Sequence, residues 1–204
     1  MDRAGFLSVG ARGGAAVALG AVGAGLLVDS ALAAPSRTAD GPLTDLDLAL
    51  CRLAVGGEIL AVAFYSQGIA SKKFAGDELK YLKKALFNEQ EHLTAISAVI
   101  TSTGQTPSTA DDFTITFPKG AFDSRNSIAK LGVALETVFV GTYLGAVGSF
   151  TNGALKTTAA RIAANESQHL SVFSELTADR PVGVSFPLPI DYEASSDALD
   201  AFLS

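Results

Sequence analysis

Asn88-Glu89-Gln90-Glu91-His92-Leu93-Thr94 returns 77 residues later as Asn165-Glu166-Ser167-Gln168-His169-Leu170-Ser171. Each copy has a glutamate upstream: Glu58 stands 31 residues before Glu89, and Glu136 stands 30 before Glu166. Tyr65 follows Glu58 by seven residues, and Tyr143 follows Glu136 by the same step. The two histidines are the only ones in the chain. A single Glu-x-x-His is commonplace on helix surfaces. Two copies at matched spacing, in a chain with eight glutamates among 204 residues, form an internal duplication. The duplicated unit reads as a helical hairpin.

Working outward from the motif, four helices are expected. The first starts at a Thr44 or Asp45 cap and runs to about Ser71, through Leu46, Leu50, Leu53, Val55, Leu60, Val62 and Phe64. Gly56-Gly57 beside Glu58 costs about 1 kcal/mol each in helix propensity, which implies close packing or room beside a site. Asp77 can cap a second helix that stops at Gly104. Ser124 can cap a third that reaches about Phe150, and the fourth spans about Ala154 to Ala178. The connections are short, long and short. Gln105 to Asp123, with Pro107 and Pro118, has no helical period, although Phe113-Thr114-Ile115-Thr116-Phe117 alternates as an extended piece would. Short loops make two antiparallel hairpins, and the long segment crosses the bundle. Pro181, Pro187 and Pro189 mark an extended tail, and Ser195 to Leu203 can form a small amphipathic helix.

At about 1.5 Å rise per residue, Glu58 and Glu89 lie roughly 20 and 18 Å from the turn that joins their helices. Glu136 and Glu166 lie at nearly the same height from theirs. All four glutamates therefore meet near mid-bundle.

The net charge of −6 argues against a nucleic-acid partner. Hydrophobic residues make up 48% and charged residues 18%, which suits a packed domain rather than a disordered chain. Residues 1–33 have the layout of a secretory signal. Arg3 and Arg12 precede an uncharged run from Gly13 to Val28, and Ala31-Leu32-Ala33 offers a cleavage site. Asp2-Arg3-Ala4-Gly5-Phe6-Leu7 is similar to a twin-arginine signal that lacks its second arginine. The expected organisation is a signal at 1–33, a linker at 34–43, the bundle at 44–179 and a tail at 180–204. The chain is expected to be exported, with membrane contact only through the signal. Cys51 is the sole cysteine, so no intramolecular disulfide can form. It reads as a small core residue.

Residues three apart are neighbours on a helix, so each Glu-x-x-His presents both side chains to one face. Four carboxylates buried together would be very costly unless neutralised. Two divalent cations would balance them, and the histidines would add nitrogen donors. Such a mixed set suits iron or manganese, with zinc also admissible. The expected ligands are Glu58, Glu89, His92, Glu136, Glu166 and His169. Glu89 and Glu166 would bridge two metals; Glu58 and His92 would complete one position, Glu136 and His169 the other. Glu91 and Gln168 fall off this face. Asn88 and Asn165 could hydrogen-bond behind the ligands, and Tyr65 and Tyr143 read as donors to a carboxylate.

Over Thr44 to Ala178 the chain resembles the ferritin-like superfamily, in its bacterial exported branch related to desiccation-associated proteins, and its six-residue set is similar to that of bacterioferritin. The resemblance implies a di-iron or di-manganese carboxylate centre that uses oxygen or peroxide. Such a centre oxidises Fe(II) or removes reactive oxygen species. An alternative is an envelope or desiccation-stress protein whose metals serve only to hold the helices together. A storage cage fits less well, because the Pro-rich tail does not resemble the fifth helix of a ferritin.

Overall fold

A computed structural model describes residues 42–178 and 184–204. The expected signal segment and nearly all of the linker lie outside the described residues. Four long helices carry the fold: α1 (Asp45–Ala70), α2 (Gly76–Ser102), α3 (Arg125–Ser149) and α4 (Gly153–Leu176). A fifth, α5 (Tyr192–Asp200), closes the chain. Helices α1 and α2 pack as one antiparallel hairpin and α3 and α4 as the other, with the crossover between them. The expected all-α bundle with one long crossover is the fold observed.

Local chemistry explains most of the boundaries. Thr44 caps α1 in a capping box with Asp47, Ser124 caps α3 in the same way with Ser127, and the Asn152 side chain accepts from Leu155 N–H at the start of α4. One expectation fails here. Asp77 does not cap α2: the cap position is Ala75, which has no side-chain bond, and the chain enters through Gly76 at φ +56°. Asp77 lies inside the first turn and pairs with Lys80. The crossover also contains an unforeseen 3-10 turn, Ala110–Asp112, held by a Thr109–Asp112 capping box.

Two apolar cores fill the bundle, one above the glutamates and one below. Leu50, Cys51, Val55, Ile59, Ile100, Tyr143, Phe150 and Leu155 belong to the first. Leu60, Phe64, Tyr65, Leu82, Ile128, Phe139 and Phe173 belong to the second. Cys51 is fully buried, and burial pushes its thiol up to about 12, so it stays protonated and inert. Helices α1 and α3 are long and apolar enough to cross a membrane by length and composition alone. Each carries a buried glutamate at its middle and packs in the bundle, as core helices do.

The tail lies against α1 and α3. Its helix starts at Tyr192 rather than Ser195, because the Asp191 carboxylate accepts from Ala194 N–H and fixes the start. Ile190 N–H donates to Gly141 O at 2.9 Å, and Thr142 Oγ1 donates to Ser195 Oγ at 2.9 Å. A side chain at Gly145 would put its Cβ 1.9 Å from the Ile190 carbonyl oxygen, so this close approach requires glycine. Residues 114–116 pair with 202–204 around an antiparallel bridge between Ile115 and Leu203. The alternating piece of the crossover thus finds its partner in the C-terminus.

Candidate metal centre

The structure brings all six sequence-selected side chains together between the two cores. Helix α1 contributes Glu58, α2 contributes Glu89 and His92, α3 contributes Glu136, and α4 contributes Glu166 and His169. Their potential ligand atoms form two groups, each within 4.8 Å: Glu58, Glu89, His92 and Glu166, and Glu89, Glu136, Glu166 and His169. Glu89 and Glu166 belong to both.

The histidines define the two halves. His92 Nδ1 lies 3.0 Å from Glu166, 3.3 Å from Glu89 and 3.7 Å from Glu58. His169 Nδ1 lies 2.8 Å from Glu89, 3.0 Å from Glu166 and 3.8 Å from Glu136. Each imidazole thus faces the glutamate of its own helix, the equivalent glutamate of the other hairpin, and the lone glutamate of its own hairpin. No Lys or Arg among the described residues pairs with these four glutamates.

The tyrosines sit one on each side of this layer, and their bonds cross between hairpins. Tyr65 of the first donates to Glu136 of the second, and Tyr143 of the second donates to Glu58 of the first. Asn88 Nδ2 lies 3.2 Å from His169 Nε2. If Nδ1 faces a metal, Nε2 keeps its proton, and the amide must turn its oxygen toward it. The parallel expectation for Asn165 fails: among the described residues it makes no such bond to His92. His92 is the more exposed imidazole, with 13% of its side chain open against 2% for His169, so solvent can serve it where His169 needs an amide.

All four glutamates are buried, from 0% to 3% exposed. Each keeps one buried oxygen short of a donor: Glu136 Oε2 has none, Glu58 Oε2 has only His92 Nδ1 at 3.7 Å, and Glu89 Oε1 and Glu166 Oε1 must share the single Nδ1 proton of His169 and of His92 with the neighbouring glutamate. Burial pushes the Glu58 carboxyl up to about 7, against the pull of His92 and Tyr143. Glu136 is pushed well up by burial and then by the charges of Glu166 and Glu89. Burial would lower both imidazoles, but the surrounding carboxylates reverse it: His169 rises to about 9, and His92 rises further still. Burial also drives the Tyr65 and Tyr143 phenols well up, so both stay neutral donors.

A family model described as a ferritin-like domain matches residues 46–179. The chain belongs to this ferritin-like family. Comparison with curated proteins gives no match. In this ferritin-like chain the donor set fits a metal: four buried carboxylates short of donors and two imidazole nitrogens converge, and no Lys or Arg among the described residues reaches them.

Tyr81 was not legible in the sequence. Its ring meets His169 edge-on at 6.2 Å, and its hydroxyl is buried without a hydrogen-bond partner, although the Tyr65 hydroxyl is near enough to affect its ionisation. The equivalent position in the second hairpin is Thr158, whose hydroxyl donates to Ala154 O on its own helix. Tyr81 therefore lies outside the repeat and gave no pattern to find.

Proposed function

We propose that the protein is an exported di-metal carboxylate protein that oxidises Fe(II) or removes reactive oxygen species, with iron, or alternatively manganese, as its resident metal. The observation that supports this is the pair of four-residue groups sharing Glu89 and Glu166, whose four glutamates are buried and short of donors. In this reading Glu89 and Glu166 would be shared between two metal positions, Glu58 and His92 would complete one, and Glu136 and His169 would complete the other. A bound metal pair would supply redox chemistry toward oxygen or peroxide and neutralise the four carboxylates. The chain does the rest. Tyr65 and Tyr143 fix one oxygen each of Glu136 and Glu58, which leaves the other free to ligate. The cores above and below keep water from the layer. His92, the one ligand with appreciable exposure, marks the side on which small reactants enter. Export fits the signal-like layout of residues 1–33.

Fe(II) titration of the metal-free protein in air tests the reading. Diferric absorbance should rise to a break at about two irons per chain, and Glu89→Ala or Glu166→Ala should remove it. Unchanged turnover in those variants would overturn the assignment. The second reading, a bundle whose metals only stabilise it, draws on the same buried carboxylates. It requires that a chelator lower the melting temperature strongly while the loaded protein shows no oxidation of Fe(II) and no consumption of peroxide.

A further inference from the structure

We infer that the end of the bundle formed by the α1–α2 turn and the start of α2 is a docking surface for anionic phospholipid. Five of the eleven lysines and arginines among the described residues fall between positions 72 and 84: Lys72, Lys73, Lys80, Lys83 and Lys84. All five are exposed, in a chain whose net charge is −6. On α2, Lys80, Lys83, Lys84 and Phe87 follow helical spacing and share one stripe. Phe87 is 46% exposed, and the Lys84 ammonium stands 4.3 Å from its ring centroid. An exposed aromatic ring flanked by cations matches a polar–apolar boundary, where the ring enters the headgroup layer and the ammonium groups meet phosphate.

The internal duplication shows that the fold does not need this stripe. The positions equivalent to Lys80, Lys83, Lys84 and Phe87 in the second hairpin are Thr157, Ala160, Arg161 and Ala164. The nearby acidic groups offset part of the patch, but Lys72, Lys73, Lys83 and Lys84 make no ion pair among the described residues. Asp77 is engaged by Lys80 at 2.8 Å and Glu78 by Arg125 at 2.6 Å, while Asp123 and Glu175 lie at the same end. Lys130 and Arg125 add positive charge from the start of α3. The cations of the stripe are all lysines, which act as point charges toward a diffuse anionic surface. An acidic protein partner would favour the forked geometry of arginine.

The test uses the full chain and two vesicle populations, phosphatidylcholine alone and phosphatidylcholine with about a third phosphatidylglycerol. The protein should sediment with the anionic vesicles and be released by about 0.5 M salt. Joint replacement of Lys72, Lys73, Lys83 and Lys84 by Glu should lower partition by at least about tenfold. The milder joint change to Gln, checked for native helicity by circular dichroism, should give a smaller loss. Phe87→Ser should weaken binding by about threefold, and Lys156→Glu, on the second hairpin, should leave it unchanged. Equal binding to both vesicle types, or undiminished binding of either lysine variant, would overturn the inference. So would binding to heparin without binding to vesicles, which would point to a soluble polyanion instead.

Discussion

Asp47 and Glu58 lie on the same helix, eleven residues apart, and both are buried, yet their carboxyl groups behave in opposite ways. Asp47 accepts four hydrogen bonds: from Thr44 N–H at 3.0 Å, Thr44 Oγ1 at 2.8 Å, Thr151 N–H at 2.8 Å and Thr151 Oγ1 at 2.6 Å. Burial would raise its carboxyl, but these donors hold it down at about 2. It ties the start of α1 to the α3–α4 turn. Glu58 has Tyr143 and His92, and burial carries its carboxyl up to about 7. Depth within the protein therefore does not separate a structural carboxylate from a candidate ligand. The number of donors supplied by the chain does, and a buried carboxylate left short of donors is a place for a cation.

The largest expected effect breaks the comparison at its centre. Glu89→Gln or Glu166→Gln removes a group common to both halves, and should weaken binding at both positions by more than about 100-fold, read by calorimetric titration and metal analysis. Asp47→Asn should leave the metal content unchanged. Asp47→Ala should instead cost about 3 kcal/mol of stability by stranding the Thr151 donors, a fall of roughly 6–12 °C in Tm.

Acidity sharpens the contrast, because the two regions have opposite signs. The depressed Asp47 carboxyl contributes stability that is present above its ordinary value of 3.8 and lost as pH falls through about 2. Glu58 is raised, so its contribution is present below 4.5 and lost as pH rises through about 7. His169, also raised, contributes below 6.5 and loses that contribution as pH rises through about 9. The metal-free protein should therefore lose roughly 5–10 °C of Tm between pH 5 and 9, by scanning calorimetry. Adding the metal should flatten that slope and release protons, since cations replace them. The smallest effects belong to the supporting groups. Tyr143→Phe should weaken metal binding by about tenfold, and Asn88→Ala by less, with stoichiometry retained in both.

The convergence of the four glutamates and two histidines was legible because helical rise turns sequence spacing into height, and the repeat supplied the same height twice. The partners were less so. Spacing marked Tyr65 as a donor to a carboxylate without naming the acceptor, which is Glu136 of the opposite hairpin, two turns along from Glu58. Asn165 matched Asn88 in sequence and not in role, because the two imidazoles differ in exposure. Asp77 looked like a cap, but Gly76 already turns the chain into α2. The glycines at 141 and 145 are spaced for close approach, yet nothing in the sequence said that Ile190 would be the occupant.

The crossed tyrosine bonds have a consequence for assembly. Neither hairpin holds a finished half of the centre, because each borrows its phenol from the other. Cutting the connection between Gly104 and Ser124 would leave two fragments with complementary deficits. Each could complete its pocket only by meeting the other, so the metal would act as a reporter of their reunion.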